Sequence, residues 1–371
     1  MKNKIYNYDF LIVGAGLIGA LVGLALHQKK YKVLVVEKNN NAIIDKRTLA
    51  VNANSRDFLN SLGLWEGLSK EHLQKIIIND EIQETFLEFE NSKEPMGSVI
   101  FNNDVLKKAR EKLKKNKILI ENLQLNIENF EVKNAIKINS KYYIFRKIIL
   151  SIGKNYKLNN IIYKKEFYPS YKAYVGFFDH KKIHKNNAFE VFTSAGPLAV
   201  LPVPSKNKKT STFIYTTKNP MTKFQLQSLI KKFFVKSHGK IQFQKSITSF
   251  VVRPHMSKSL NKNILLLGDS LRSIHPVAGQ GWNLGVKDIQ SLCTILDRYE
   301  INHESFSFIY ESQRKIEGIT YLSFTSLINF LYESEGILNK PLIKFVFKAL
   351  KLINPIRELF IRQAMGRHKL I

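Results

Sequence analysis

Cysteine is nearly absent: Cys293 stands alone in 371 residues. No intrachain disulfide can form and a Cys-based zinc site is impossible, which fits a reducing compartment. The nine histidines show no ligand spacing such as HExxH, so no metal is expected. No stretch is dominated by Pro, Gly or Ser and there is no internal repeat, which argues against solenoid arrays and long flexible linkers. Neither a Ser-His-Asp set, a pair of carboxylates nor a particular lysine stands out as a side-chain catalyst. Acidic residues are scarce too, 30 against 58 basic ones, for a formal charge of +28. The basic residues, 47 Lys and 11 Arg, are scattered along the chain and no nucleic-acid module accompanies them, so nucleic acid is not expected as a partner. Such a charge does suit an anionic membrane surface. A hydrophobic content of 44% is ample for a buried core and suggests two domains.

The N-terminal stretch DFLIVGAGLIGALVGLALHQKKYKVLVVE, residues 9–37, carries the first motif. Phe10 to Leu26 is free of charge and follows Lys2 and Lys4, as a leader or short span would. Four glycines inside the run, Asp9 at its edge and a second strand directly after it favour strand, turn and helix instead. An all-apolar strand suits a parallel sheet covered on both faces. Gly14 permits the tight turn, Gly16 lets a pyrophosphate approach the backbone, and Gly19 lets helix and strand pack closely. The helix start offers free N–H groups and a partial positive charge to phosphates. Glu37, ending the second strand, stands where an acid accepts hydrogen bonds from a ribose. Glycine turns alone are common; strand, glycines, helix, strand and acid in register predict a bound dinucleotide, without choosing between FAD and NAD.

The second motif lies at 263–292, NILLLGDSLRSIHPVAGQGWNLGVKDIQSL. Ile264 to Leu267 read as a buried strand ending at Gly268-Asp269. In isolation this Asp reads as a turn cap; beside the glycine-rich run that follows, it can accept from a ribityl hydroxyl. Pro276, Gly279, Gln280, Gly281, Asn283 and Gly285 make a loop whose backbone can approach a flat ligand. A helix follows, with Val286, Ile289, Leu292, Cys293 and Leu296 at helical spacing. Its N-terminus, aimed at a flavin ring, would stabilise the negative charge of the reduced form.

With both motifs in view, the chain resembles the aromatic-ring FAD monooxygenases of the para-hydroxybenzoate hydroxylase type, and within them the ubiquinone-biosynthesis hydroxylases (UbiH and UbiF type). DKRTLAVNANSRDFLNSLGLWEGL (45–68), FTSAGPLAVLPVP (192–204), HPVAGQGWNLGVKD (275–288) and AMG (364–366) carry the likeness over nearly the full chain. The resemblance implies an α/β fold: a Rossmann-like FAD-binding domain (1–72, 99–165 and 255–325) interleaved with a smaller β-sheet substrate domain (73–98 and 166–254), then a C-terminal helical segment (326–371). It implies that Gly14, Gly16 and Gly19 hold the pyrophosphate, Glu37 the adenosine ribose and Asp269 the ribityl chain. Pro276, Gly279, Gln280, Gly281 and Asn283 would line the flavin ring; the first three are the candidates nearest the chemistry, which is borne by the flavin itself. Arg47 would lie near the flavin or a nicotinamide donor, its alternative being a surface ion pair. Gly196, Pro197 and Leu198 would face the substrate.

The activity so implied is hydroxylation of the ring of a polyprenylated ubiquinone precursor with O2, through a flavin C4a-hydroperoxide, with FAD as cofactor and NAD(P)H as reductant. The implied setting is cytoplasmic, peripheral at the inner face of the membrane, in contact with a quinone-biosynthesis assembly. Pro341 with Lys344, Lys348 and Lys351 outlines a basic helix that either packs on the body or meets a membrane or partner. Two departures matter. Ile148 to Lys154 retains only the strand and Gly153 of an Asp-Gly-x-x-Ser-x-x-Arg segment usual in the family. Gly268 to Arg272 replaces Gly-Asp-Ala-Ala-His, with Arg272 able to offer donors to a phosphate. A smaller change is Asp104, where the family usually has an Arg before a helix. These losses motivate a second reading, an FAD-binding scaffold of a quinone-biosynthesis assembly that no longer turns over.

Overall fold

Strand β1 (Ile5–Val13) sets the plan. Phe10 and Ile12 turn into one apolar cluster while Leu11 and Val13 turn into another, so alternation along the strand buries both faces. Burial of each such side chain contributes about 1.5–3 kcal/mol. The computed structural model describes residues 5–39, 47–81, 85–91, 93–126, 135–138, 141–167, 170–274 and 280–333.

β1 pairs in parallel with β2 (Val33–Val36) on one side and β10 (Lys141–Leu150) on the other. β8 (Leu119–Ile120) extends the sheet beyond β2, and β18 (Ile264–Leu266) extends it beyond β10. β9 (Ala135–Ile138) adds an antiparallel edge. The register aligns Val36, Val13, Leu150 and Leu266 across the sheet, so four parallel strands end on one line. Helices α1 (Leu17–Gln28), α2 (Ala53–Ser61), α3 (Asn102–Lys115), α5 (Gln280–Leu296) and α6 (Phe306–Glu333) supply the remaining cover. α1 has no charged residue and is buried over Gly19 to Leu26, which is why it lies inside rather than on the surface.

A second, seven-stranded sheet has the order β16 (Ile241–Val252), β12 (Tyr171–His180), β15 (Thr210–Thr217), β14 (Gly196–Pro202), β13 (Asn187–Thr193), β5 (Lys75–Asp80), β6 (Thr85–Glu90). The alternating apolar runs at 188–192 and 212–215 lie in β13 and β15, which both pair antiparallel with β14. Helix α4 (Lys223–His238) packs Leu226, Ile230, Phe233 and Phe234 against one face of this sheet, over Phe178, Leu198, Phe213 and Tyr215. It starts in a capping box of Thr222 and Gln225.

Two three-stranded sheets join the halves: β3 (Thr48–Val51), β7 (Gly97–Phe101), β4 (Lys70–Leu73), and β11 (Ile162–Glu166), β17 (His255–Ser259), β19 (Arg272–Ser273). The boundaries read from sequence at 72/73 and 98/99 therefore fall inside β4 and β7. The reason is that β7 pairs with β3 on one side and β4 on the other, rather than with the larger sheet. Among the described residues no helix is long and apolar enough to cross a membrane. The basic helix and the AMG segment expected beyond residue 340 lie outside the described residues.

Candidate active site

The line of strand ends is where a ligand can reach the backbone. β1 sits between β2 and β10, so connections leave it in both directions and a crevice opens at its carboxyl end. Gly14 occupies that end with φ +96°, and a Cβ there would stand 2.4 Å from the Ser151 carbonyl oxygen at the end of β10. A Cβ on Gly19 would stand 1.8 Å from the Gly14 carbonyl oxygen. These two glycines serve packing. Gly16 differs: among the described residues nothing lies within 4 Å of its Cβ position, it is the N-cap of α1, and no side chain caps that helix. The first turn of α1 holds no acidic side chain, and among the described residues no side chain caps it, so the helix start is suited to an anion.

Glu37 follows β2 and is buried. Its Oε2 accepts from the Ala15 N–H at 2.7 Å and lies 3.4 Å from the Arg110 guanidinium, while Oε1 accepts from the Asn39 N–H at 3.2 Å. Arg110 Nε also donates to the Ala15 carbonyl at 2.9 Å, leaving its Nη1 buried without a partner among the described residues. Arg110 was not singled out from the sequence. It falls in the stripe Leu106, Ala109, Arg110, Leu113, where a cation among buried apolar residues was the available signal. Asp104 proves to lie in the first turn of α3 rather than before it, where a carboxylate complements the helix dipole.

At the other end of the crevice, residues 268–270 form one turn of 3-10 helix, and every residue of it is pinned. The Gly268 N–H donates to Asp288, the Asp269 carbonyl lies 3.1 Å from His255 Nε2, and the Ser270 carbonyl accepts from Tyr156 Oη at 2.8 Å. The Ser270 hydroxyl in turn accepts from the Ile152 N–H at 2.8 Å. Among the described residues, the carboxylate of Asp269 makes no hydrogen bond. It is open to solvent, yet the protein around it raises its pKa above the ordinary carboxylate range, opposed by Lys154 and Arg47.

The two ends meet at Ile18. Its side chain would touch a Cβ placed on Gly268 at 3.1 Å and one on Gly285 at 2.6 Å, so α1, the Asp269 turn and α5 are packed together. Glu37 and Asp269 thus stand at strand ends three spacings apart, about 14 Å.

The remaining expected residues fall as follows. Gly281 opens α5 with free space at its Cβ position. Gln280 begins that helix, whereas Pro276 and Gly279, with His275, lie outside the described residues. Asn283 is buried, and its amide is occupied: it donates to the Ala50 carbonyl at 2.9 Å and accepts from the Asn52 N–H at 3.2 Å, tying α5 to the start of α2. Arg47 is exposed, with its guanidinium 5.7 Å from the Phe250 ring. Lys154 places its ammonium 5.4 Å from the same ring and donates to the Val251 carbonyl at 2.9 Å. Burial lowers the pKa of Lys154, and Asp269 opposes that shift.

Gly196 closes the turn into β14, where a Cβ would meet the Thr216 carbonyl at 1.9 Å. Leu198 corrects an expectation. Strand alternation sends its side chain into the core beneath α4, while Pro197 and Ala199 belong to the opposite face. That face also holds Thr216, whose hydroxyl is buried without a partner among the described residues. Arg272 corrects another: it is buried and donates to Asp288 at 2.7 Å, so its charge serves that pair rather than a phosphate. Burial pushes the Cys293 thiol up to about 11, which leaves it no role as a thiolate.

A family model described as FAD binding domain matches residues 7–126 and 181–305. The chain is 23% identical over 390 residues to the ubiquinone hydroxylase UbiL of Rhodospirillum rubrum, covering 98% of this chain and 90% of that one. It is 21% identical over 465 residues to the ubiquinone biosynthesis monooxygenase COQ6 of Dictyostelium discoideum, covering 98% and 92%. The fold matches the p-nitrophenol 4-monooxygenase PnpA of Pseudomonas putida with a TM-score of 0.77 at 13% identity, covering 97% and 99%.

Proposed function

The chain belongs to the FAD binding domain family, and on that premise we propose that it hydroxylates the aromatic ring of a polyprenylated ubiquinone precursor as an FAD-dependent monooxygenase. One observation carries the reading. Among the described residues, the start of α1 at Gly16 has no side-chain cap and the Asp269 carboxylate makes no hydrogen bond, and the α1 and Asp269 elements pack together through Ile18. A dinucleotide fits that donor set. The N–H groups after Gly16 would take its pyrophosphate, Glu37 held by Arg110 its adenosine ribose, and Asp269 its ribityl hydroxyls. The start of α5, with Gln280 and Gly281, would take the ring, and the expected Pro276 and Gly279 precede it.

Bound FAD supplies the redox chemistry, moving electrons from a reductant to O2 and one oxygen atom to the substrate ring. The protein's part is to position and to exclude water. The sheet face of Pro197, Ala199 and Thr216 would orient the phenol, with the Thr216 hydroxyl as a hydrogen-bond partner for it. Arg47 and Lys154, at Phe250, would take an anionic reductant such as NAD(P)H. Lys154 belongs to the segment where the family's usual Asp-Gly residues are lost, and with Arg47 it would supply a cationic contact for the reductant in their place, which favours turnover over a purely scaffolding role. Residues 75–90 and 171–252 would form the substrate domain, and a quinone-biosynthesis assembly and peripheral membrane contact complete the proposal.

The purified protein should show a bound-flavin spectrum, and deleting the gene should lead to accumulation of a quinone precursor lacking one ring hydroxyl. A colourless protein that takes up no FAD would refute the assignment. Rescue of quinone synthesis by a variant that cannot oxidise NAD(P)H would instead favour the scaffold.

A further inference from the structure

From Val191 to Gly268 the chain contains no Asp and no Glu, while twelve lysines and Arg253 fall in the same interval. Helix α4 lies within it. Its inner face is the apolar row packed on the seven-stranded sheet. Its outer face is unusual for a soluble helix: Phe224 is 78% exposed and Val235 is 45% exposed. Eleven residues separate them, so both lie on one line of the helix, with Ser228 and Lys231 between them and Lys232 beside them. Lys223 and Lys236 stand exposed toward the two ends of α4. Lys223 donates to the Lys245 carbonyl and Lys182 to the Lys236 carbonyl, which brings one further ammonium group, that of Lys182, to the end of the helix.

We propose that the outer face of α4 is a docking surface for an anionic lipid bilayer. This deepens the membrane contact proposed above and names the face that makes it. Two features select lipid. The basic groups are almost all lysines, which act as hydrated point charges toward a diffuse anionic surface rather than as bidentate readers of single phosphates. Apolar side chains project between them, and only a bilayer interface offers these a place to be buried while the lysines keep their headgroup contacts. An acid-free interval removes the charges that would repel such a surface.

The test uses the full chain loaded with FAD, sedimented with vesicles of phosphatidylcholine alone or containing about one third phosphatidylglycerol. Binding should require the anionic lipid and fall with added salt. Lys231→Gln with Lys232→Gln should weaken it on the order of tenfold or more, since each basic group near the surface changes affinity several-fold. Phe224→Ser should weaken it as well. Flavin absorbance and the thermal midpoint should stay at their original values in both variants. The proposal fails if the protein ignores anionic vesicles, or if the variants bind as well as the original chain. It also fails if the protein instead retains polyuridylic RNA through the same residues, which would make the face a nucleic-acid site. A protein that takes up no FAD but still binds vesicles through α4 would sink the hydroxylase reading alone.

Discussion

Gly16 and Gly19 are three residues apart and serve opposite purposes. A Cβ on Gly19 would overlap the Gly14 carbonyl, whereas a Cβ on Gly16 meets nothing. Gly16→Ala also suits the backbone, since φ there is −66°. The expected outcome is a separation of effects. Gly19→Ala should cost several kcal/mol, about what a backbone clash or overpacked core site costs, and give little soluble protein. Gly16→Ala should keep the thermal midpoint of the apoprotein and lose FAD affinity at least tenfold, because the methyl group occupies the approach of the phosphates. Thermal melts of apoprotein and flavin titration of both variants decide it. Equal FAD affinity in Gly16→Ala and the original chain would remove the pyrophosphate from this turn.

At the scale of elements, the Asp269 turn is held from behind by charge. Asp288 on α5 accepts from the Gly268 N–H and from Arg272, and lies 3.6 Å from Arg314 on α6. Arg314 pairs with Glu317, which also accepts from Lys287 at 2.8 Å. The chain of charges is buried, so removing one member leaves others uncompensated. Asp288→Ala should therefore destabilise the protein by about 3–5 kcal/mol. Replacing Asp288 and Arg272 together by apolar residues should cost much less than the sum of the single changes. Denaturant unfolding of the two single variants and the double variant measures this coupling, and strict additivity would show that the pair is not an interacting unit. Sequence reading found the turn and helix α5 but not this support. Asp288 sits among Val286, Ile289 and Leu292, and nothing local says that a buried carboxylate there is met by arginines 16 residues before it and 26 after it.

For the whole molecule, the acid limb of stability is set far from the crevice. His180, His184 and His238 are buried together where β12 meets the end of α4, with the His180 and His238 ring centroids 4.7 Å apart. Burial lowers all three, His184 to about 4 and His238 to about 3, from an ordinary value of 6.5. A folded value below the unfolded one means that the unfolded chain binds the extra proton. The stability is complete above about pH 6.5 and is lost as pH falls toward the folded values, at about 1.4 kcal/mol per unit of difference. Asp179 partly opposes the shift of His180, while Lys208 and Lys209 on the neighbouring segment reinforce those of His184 and His180. Urea midpoints should fall steeply from about pH 7 to about pH 5, and His238→Phe should flatten that slope. A flat profile in the original chain would mean that these rings are not buried neutral.

Local chemistry marks the two ends of the candidate site. A tight turn, a close backbone approach and an accessible carboxylate each demand particular residue types at short spacing, and these demands are visible in Gly14, Gly16, Glu37 and Asp269. Unbroken apolar runs likewise mark β1, β2 and β18, because a strand covered on both faces needs apolar residues at successive positions. Tertiary structure alone decided what depends on partners far along the chain. It turned Leu198 inward, gave Arg272 to Asp288, used the amide of Asn283 as a tie, brought Arg110 to Glu37, and joined both ends of the crevice through Ile18. The physical reason is that side-chain composition specifies what a group can bond to, while only packing specifies which of its possible partners arrives.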